Sequence, residues 1–127
     1  MTSPESERRP VEDVFEAERP WGGFQQLVSN ETVTVKILTV QPGHRLSLQR
    51  HESRGEMWQV LDVPLDIVVG DRQWAAPPGE TIWVPHGATH RVGNSGEAPG
   101  RLLEIAFGHF DEADIERLED DYARTDG

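Results

Sequence analysis

From residue 32 to residue 107 the chain is a succession of short runs rich in β-branched and aromatic residues, each closed by a turn signal, with no helical period between them. "TVTVKILTV" (32–40) ends at "QPGH"; "MWQVLDV" (57–63) and "LDIVV" (65–69) lead to the turn "GDR". "RQWAA" (72–76) stops at "PPGE", and "TIWVP" (81–85), "HRVGN" (90–94) and "RLLEIAF" (101–107) complete the series. Strands this short and this regularly spaced, without crossover helices, predict an all-β sandwich or barrel. The end of the chain departs from the pattern. In "DEADIERLEDDYAR" (111–124), Ile115, Leu118 and Tyr122 are spaced as one helix face behind an acidic first turn, which predicts a short C-terminal α-helix. Residues 1–18, with mixed charge, Pro4 and Pro10, read as a flexible acidic arm, leaving 19–124 as a single domain.

Composition narrows the chemistry. A chain of 127 residues suits one hydrophobic core. With no cysteine it has neither disulfides nor thiolate zinc sites, so any metal must be held by nitrogen and oxygen. The formal charge is −11, and the excess lies at the two ends: residues 36–101 carry 7 basic and 7 acidic side chains. That charge argues against nucleic-acid partners, while the balanced middle leaves arginines free for a small anion. The N-terminus lacks the apolar run of a signal peptide and no segment has the length of a membrane span, so a cytoplasmic protein without membrane partners is expected.

Two motifs carry the chemistry. "GETIWVPHGATHRVGN" (79–94) places Gly79, Pro85, Gly87, His90 and Asn94 in the spacing G-x5-P-x-G-x2-H-x3-N. "GHRLSLQRHESRGE" (43–56) follows G-x5-H-x-H-x4-E with Gln49 in place of the first histidine and His51 and Glu56 in place. Together and in this order they resemble the two motifs of the cupin superfamily, which implies a double-stranded β-helix, the jelly-roll barrel. Val63 stands where the first motif usually closes with glycine. The strand period agrees with the resemblance: Gln49 and His51, two apart, point to one face, Glu56 can fold back from the next strand, and His90 can arrive from a neighbour. An amide oxygen, two imidazoles and a carboxylate suit a divalent transition metal, whether zinc, manganese, cobalt, nickel or iron, with coordination positions left open. Any of these residues alone is more ordinarily a surface polar group; the two motifs in order change that reading.

A narrower resemblance covers Arg19 to Arg124. "ERPWGGF", "VKILTVQPGHRLSLQRH", "RGEMW", "VPHGATHRVGN", "LLEIAFG" and "DDYAR" are similar, in order and spacing, to the C-terminal cupin domain of type II mannose-6-phosphate isomerases. The resemblance implies Gln49, His51, Glu56 and His90 as metal ligands, interconversion of mannose 6-phosphate and fructose 6-phosphate, Lys36, Glu104 and Arg124 as catalytic residues, and Arg54 as a phosphate ligand. A strand lysine is commonly a solvated face and a terminal arginine commonly pairs with nearby acids, so these four have bland readings too. An aldose–ketose isomerisation needs a base and an electrophile, and a metal serves as the latter.

The chain also departs from the family. Glu52 and Ser53 replace its histidine cluster, Met57 replaces a histidine, Ala106 replaces a common glutamine on the same strand face as Glu104, and the closing "YGR" is "YAR". These changes leave two alternatives: a non-catalytic sugar-phosphate or metabolite-binding cupin, and a different metal-dependent small-molecule enzyme. Trp58 and Trp83 read as core, Trp21 as a cover for one end of the barrel, and His44, His86 and His109 as surface residues. A homodimer paired through strands is the expected assembly.

Overall fold

The computed structural model describes residues 10–122 and divides into two compact units, Met1–Glu31 and Thr32–Gly127. In the first, a 3-10 turn at Pro10–Asp13 leads into a hairpin of β1 (Phe15–Arg19) and β2 (Gly22–Gln26). These strands pair from Phe15↔Gln26 to Arg19↔Gly22, which leaves Pro20 and Trp21 as the turn. Phe15 and Phe24 meet edge to face with ring centroids 5.8 Å apart, and Gln26 donates from Nε2 to the Asp13 carbonyl. Trp21 is 73% exposed.

The second unit holds nine strands among the described residues: β3 (Val33–Val40), β4 (Leu48–Arg50), β5 (Glu56–Val60), β6 (Leu65–Val69), β7 (Arg72–Ala76), β8 (Thr81–Val84), β9 (His90–Gly93), β10 (Gly100–Phe107) and β11 (Glu116–Glu119). They form two antiparallel sheets, β3-β10-β5-β8 and β11-β4-β9-β6-β7. The expected runs at 65–69 and 72–76 coincide with β6 and β7, joined by the two-residue turn Gly70-Asp71, where Gly70 adopts a φ of 58°. That left-handed conformation is favoured for glycine and matches the twist a tight hairpin needs. Trp58, Val60, Leu65, Ile67, Val92 and Leu102 are all buried in one core cluster. Burial of each such side chain contributes about 1.5–3 kcal/mol, which is what holds the two sheets together.

Alternation decides what faces inward. In β3, Val35 and Ile37 are more than half exposed, while Leu38 packs on the core and Val40 is buried within it. Lys36 lies on the same face as Leu38 and Val40, and its cross-strand partner is Glu104 of β10. Polar groups at 36 and 104 therefore project from the inner face of the sheet. Among the described residues the second unit is thus all-β, two antiparallel sheets packed on one core.

The predicted C-terminal helix is not formed. Residues 116–119 instead make strand β11, which pairs with β4 through Glu116↔Arg50 and Arg117↔Gln49. The helix face read from the sequence stays largely in solvent, with Leu118 43% and Tyr122 49% exposed. With little apolar burial available to a helix this short, the backbone pairing and its ion pairs win. Arg50 reaches Glu116 at 2.6 Å, Arg91 reaches Glu119 at 3.2 Å, and Arg45 grips Asp121 at 2.7 Å.

Candidate metal centre

Strand register brings the motif residues together. Gln49 of β4 and His90 of β9 are direct cross-strand partners, so both side chains leave the same face. His51 follows two residues after Gln49, and Glu56 opens β5 in the facing sheet. His51, Glu56 and His90 are all buried, and their ligand atoms lie within 4.8 Å of one another. Gln49 lines the same cleft as His51.

The surrounding hydrogen bonds orient each ligand. His90 donates from Nδ1 to the Ala88 carbonyl at 3.1 Å, which leaves Nε2 with its lone pair. His51 Nδ1 lies 2.6 Å from the Asp114 carbonyl, and Arg54 Nη2 lies 3.2 Å from His51 Nε2. A guanidinium only donates, so the network assigns the proton of neutral His51 to Nδ1 and the lone pair to Nε2. Trp58 donates from Nε1 to Glu56 Oε1 at 3.0 Å, and Arg54 donates from Nε to Glu56 Oε2 at 3.1 Å. Two imidazole nitrogens, a buried carboxylate and an amide oxygen, each held by a second hydrogen bond or by strand pairing, fit a divalent transition metal.

Titration behaviour follows from burial and proximity. Burial pushes the Glu56 carboxyl up, but attraction to His90, the hydrogen bond shared with Glu104, attraction to His51 and the Trp58 donor together hold it below the usual value. Burial lowers His90, with Glu56 opposing, so its imidazole favours the neutral, ligating form. Glu104 is pushed up to about 8 by burial first, then by the charge of Glu56 and their hydrogen bond, with Lys36 and Arg54 opposing. The two shifts run in opposite directions, so Glu104 is the carboxyl of the pair that keeps its proton to higher pH.

The mouth of this cleft, about 210 Å³, is cationic and partly covered. Lys36 Nζ and the Arg54 guanidinium each lie 4.4 Å from the centre of the Phe110 ring. Lys36 also meets Glu112 at 3.4 Å, and Arg54 donates from Nη1 to the Asp111 carbonyl at 3.1 Å. Arg117, in register with Gln49 across β11 and β4, lines the same cleft. A larger cleft of about 350 Å³, lined in part by His44, Arg45, Leu46 and Tyr122, contains none of these ligand residues. The chemistry therefore favours the smaller one.

Of the predicted site residues, Gln49, His51, Arg54, Glu104 and Lys36 all line this cleft, and Glu56 and His90 complete the ligand group. Arg124 lies outside the described residues. Four contributors were not foreseen in these roles: Phe110, Asp114, Arg117 and Trp58. Trp58 reads as core and is buried, yet its indole N–H is committed to Glu56. The other three sit in the segment read as helix or just before it. No local signal in "ERLE" announced this strand, because its one apolar residue, Leu118, is exposed while Arg117 lines the cleft.

A family profile described as "Mannose-6-phosphate isomerase C-terminal" matches residues 6–120. The chain belongs to that family. Among curated relatives, this family domain is 35% identical over 119 residues to the alginate biosynthesis protein AlgA of Pseudomonas aeruginosa, covering 93% of this chain and 25% of the relative. It is 36% identical over 111 residues to the mannose-1-phosphate guanylyltransferase ManC of Salmonella typhimurium, covering 87% of this chain and 23% of the relative. The mannose-6-phosphate isomerase C-terminal domain seen here thus spans about a quarter of the length of these relatives. Among solved structures, a cupin 2 domain-containing protein from Halorhodospira halophila superposes with a TM-score of 0.61 at 23% identity, covering 67% of this chain and 57% of that one. A putative sugar phosphate isomerase from Acidithiobacillus ferrooxidans gives a TM-score of 0.55 at 22% identity, covering 61% and 51%. These two likenesses establish the cupin fold. Among the described residues no helix is long and apolar enough to cross a membrane.

Proposed function

We propose that the chain is a metal-dependent sugar-phosphate isomerase that interconverts mannose 6-phosphate and fructose 6-phosphate. The observation that carries this reading is one cleft lined by Gln49, His51 and Glu104 and by the cations Lys36, Arg54 and Arg117, with Glu56 and His90 clustered on His51. When bound, a divalent metal would supply electrophilic polarisation of the sugar carbonyl. Lys36 and Arg54 flank Phe110 at the mouth, where a terminal phosphate would be held by charge-assisted hydrogen bonds. Glu104, with a value of about 8, exchanges a proton near neutrality, the range in which a general acid or base works best. Moving a proton between C1 and C2 requires one group that both takes and returns it; the ionised fraction of Glu104 would take the proton and the acid so formed would return it, a role supported by its value near neutrality.

A second reading, a binding module without turnover, has its own support. Ala106 pairs with Glu56 in the β10–β5 ladder and is buried, so its methyl group occupies the inner wall where a polar side chain could hold a sugar hydroxyl. The deciding experiment supplies mannose 6-phosphate to the purified protein, with and without added manganese, cobalt, nickel or zinc, and follows fructose 6-phosphate through a coupled assay. Metal-dependent turnover abolished by Glu104→Gln supports the isomerase. Saturable binding of the sugar phosphate without turnover supports the module.

A further inference from the structure

Arg54 is tied to the ligand set more closely than a phosphate ligand needs to be. Its Nε donates to Glu56 Oε2 at 3.1 Å and its Nη2 to His51 Nε2 at 3.2 Å. The two acceptors are not equivalent. A carboxylate has about four lone-pair sites and can serve a guanidinium and a metal together, whereas a neutral imidazole has one accepting nitrogen with one lone pair. Because His51 Nδ1 is committed to the Asp114 carbonyl, Nε2 is the atom that must ligate, and it is the atom Arg54 occupies.

We propose that Arg54 and a metal ion compete for the single lone pair of His51 Nε2, and that the Arg54 donor which yields there turns to a tetrahedral dianion at the cleft mouth, so that metal and dianion bind with positive coupling. The rest of the guanidinium has reason to stay. Nη1 is held by the Asp111 carbonyl at 3.1 Å, Nε retains Glu56, and the plane lies over Phe110. Only Nη2 needs a new acceptor, and a buried donor left without one is costly. The side chain is buried and lines the same cleft as Lys36, whose ammonium shares the Phe110 ring, so an anion seated there would accept from both cations. By linkage, whatever factor the dianion adds to metal affinity, the metal adds to dianion affinity. This rests on the reading of the cleft as a metal and phosphate site, and it adds that each of the two ligands favours binding of the other.

The test titrates the full chain with Mn2+ alone, reading free Mn2+ by electron paramagnetic resonance, in sulfate and in chloride at equal ionic strength. Sulfate is expected to tighten Mn2+ binding by about fivefold or more, within the usual range of coupled sites, and Mn2+ to tighten sulfate by the same factor. Arg54→Met is expected to bind Mn2+ more tightly than wild type in chloride and to lose the sulfate dependence. Lys36→Met removes the same charge without touching His51 or Glu56, so it is expected to weaken sulfate binding and to tighten Mn2+ in chloride less than Arg54→Met does. Arg54→Lys keeps the charge with fewer donors and carries the test if the methionine variant fails to fold; it is expected to bind Mn2+ more tightly than wild type, with reduced coupling. An Arg54 variant that folds and binds Mn2+ no tighter than wild type overturns the proposal, as does an equal tightening in Lys36→Met, which would mean charge repulsion alone. Neither arm uses turnover, so a protein inactive on mannose 6-phosphate can still show the coupling, and an active one can lack it.

Discussion

Asp114→Ala is the perturbation that best separates the metal centre from an accidental cluster. Asp114 holds the ligand loop twice. Its main-chain carbonyl accepts from His51 Nδ1 at 2.6 Å, while its carboxylate accepts the Glu52 and Ser53 N–H groups at 2.9 and 3.0 Å. Alanine keeps the carbonyl but removes both carboxylate bonds, so the loop carrying His51 is no longer pinned to the segment that orients its ring. Each bond would be worth about 1 kcal/mol, and partial exposure of the carboxylate trims the pair to about 1–1.5 kcal/mol. For a chain of this size that lowers the melting temperature by about 3–7 °C. Metal affinity should fall by about tenfold, the lower end for loss of an outer partner, because the carbonyl itself survives. The stability penalty should be complete above pH 3.8, the ordinary aspartate value, and should fade as pH falls below it, because the Glu52 N–H bond and then the Ser53 bond depress the folded-state value. Metal competition against a chromophoric chelator gives the affinity, and 15N-resolved imidazole spectra of the metal-stripped protein give the His51 tautomer. Unchanged metal affinity in the variant, or a wild-type His51 carrying its proton on Nε2, would refute the reasoning.

Three further outcomes are expected. His51→Ala and His90→Ala should each abolish retention of a divalent metal by elemental analysis, whereas substitution of His86, which is exposed, should not. Glu104→Gln should alter the pH dependence of stability: between pH 4.5 and about 8 the folded wild type retains a proton that the unfolded chain has lost, so its stability falls as pH rises through that window. Melting curves in chelator should show that decline in wild type and a flatter profile in the variant. Ala106→Gln should raise hexose-phosphate affinity by calorimetry, since residue 106 shares the inner face with Glu56 and Glu104, at a stability cost of about 1–3 kcal/mol for overfilling a buried site.

The strand pattern and the two motifs were legible in the sequence because both are local. Alternation over β6 and β7 and the Gly70-Asp71 turn need only neighbouring residues, and the spacing of Gln49, His51 and Glu56 on one side and His90 on the other encodes which faces they leave by. The family resemblance extended this to Lys36, Arg54 and Glu104, which the fold does bring to one cleft. What the tertiary structure alone decided is the fate of residues 110–119. Their apolar spacing fits a helix, but a helix there would have had little to pack against, while the open edge of β4 offered backbone partners and Arg50 and Arg91 offered charge. The same choice put Phe110 between two cations, Asp114 behind His51 and Arg117 at the mouth. The proton of Glu104 has a similar origin. It depends on burial beside Glu56, a residue 48 positions earlier, and no pattern within either strand records that the two carboxyls meet. Local periodicity sets which face a side chain takes, and only long-range strand pairing sets what it faces.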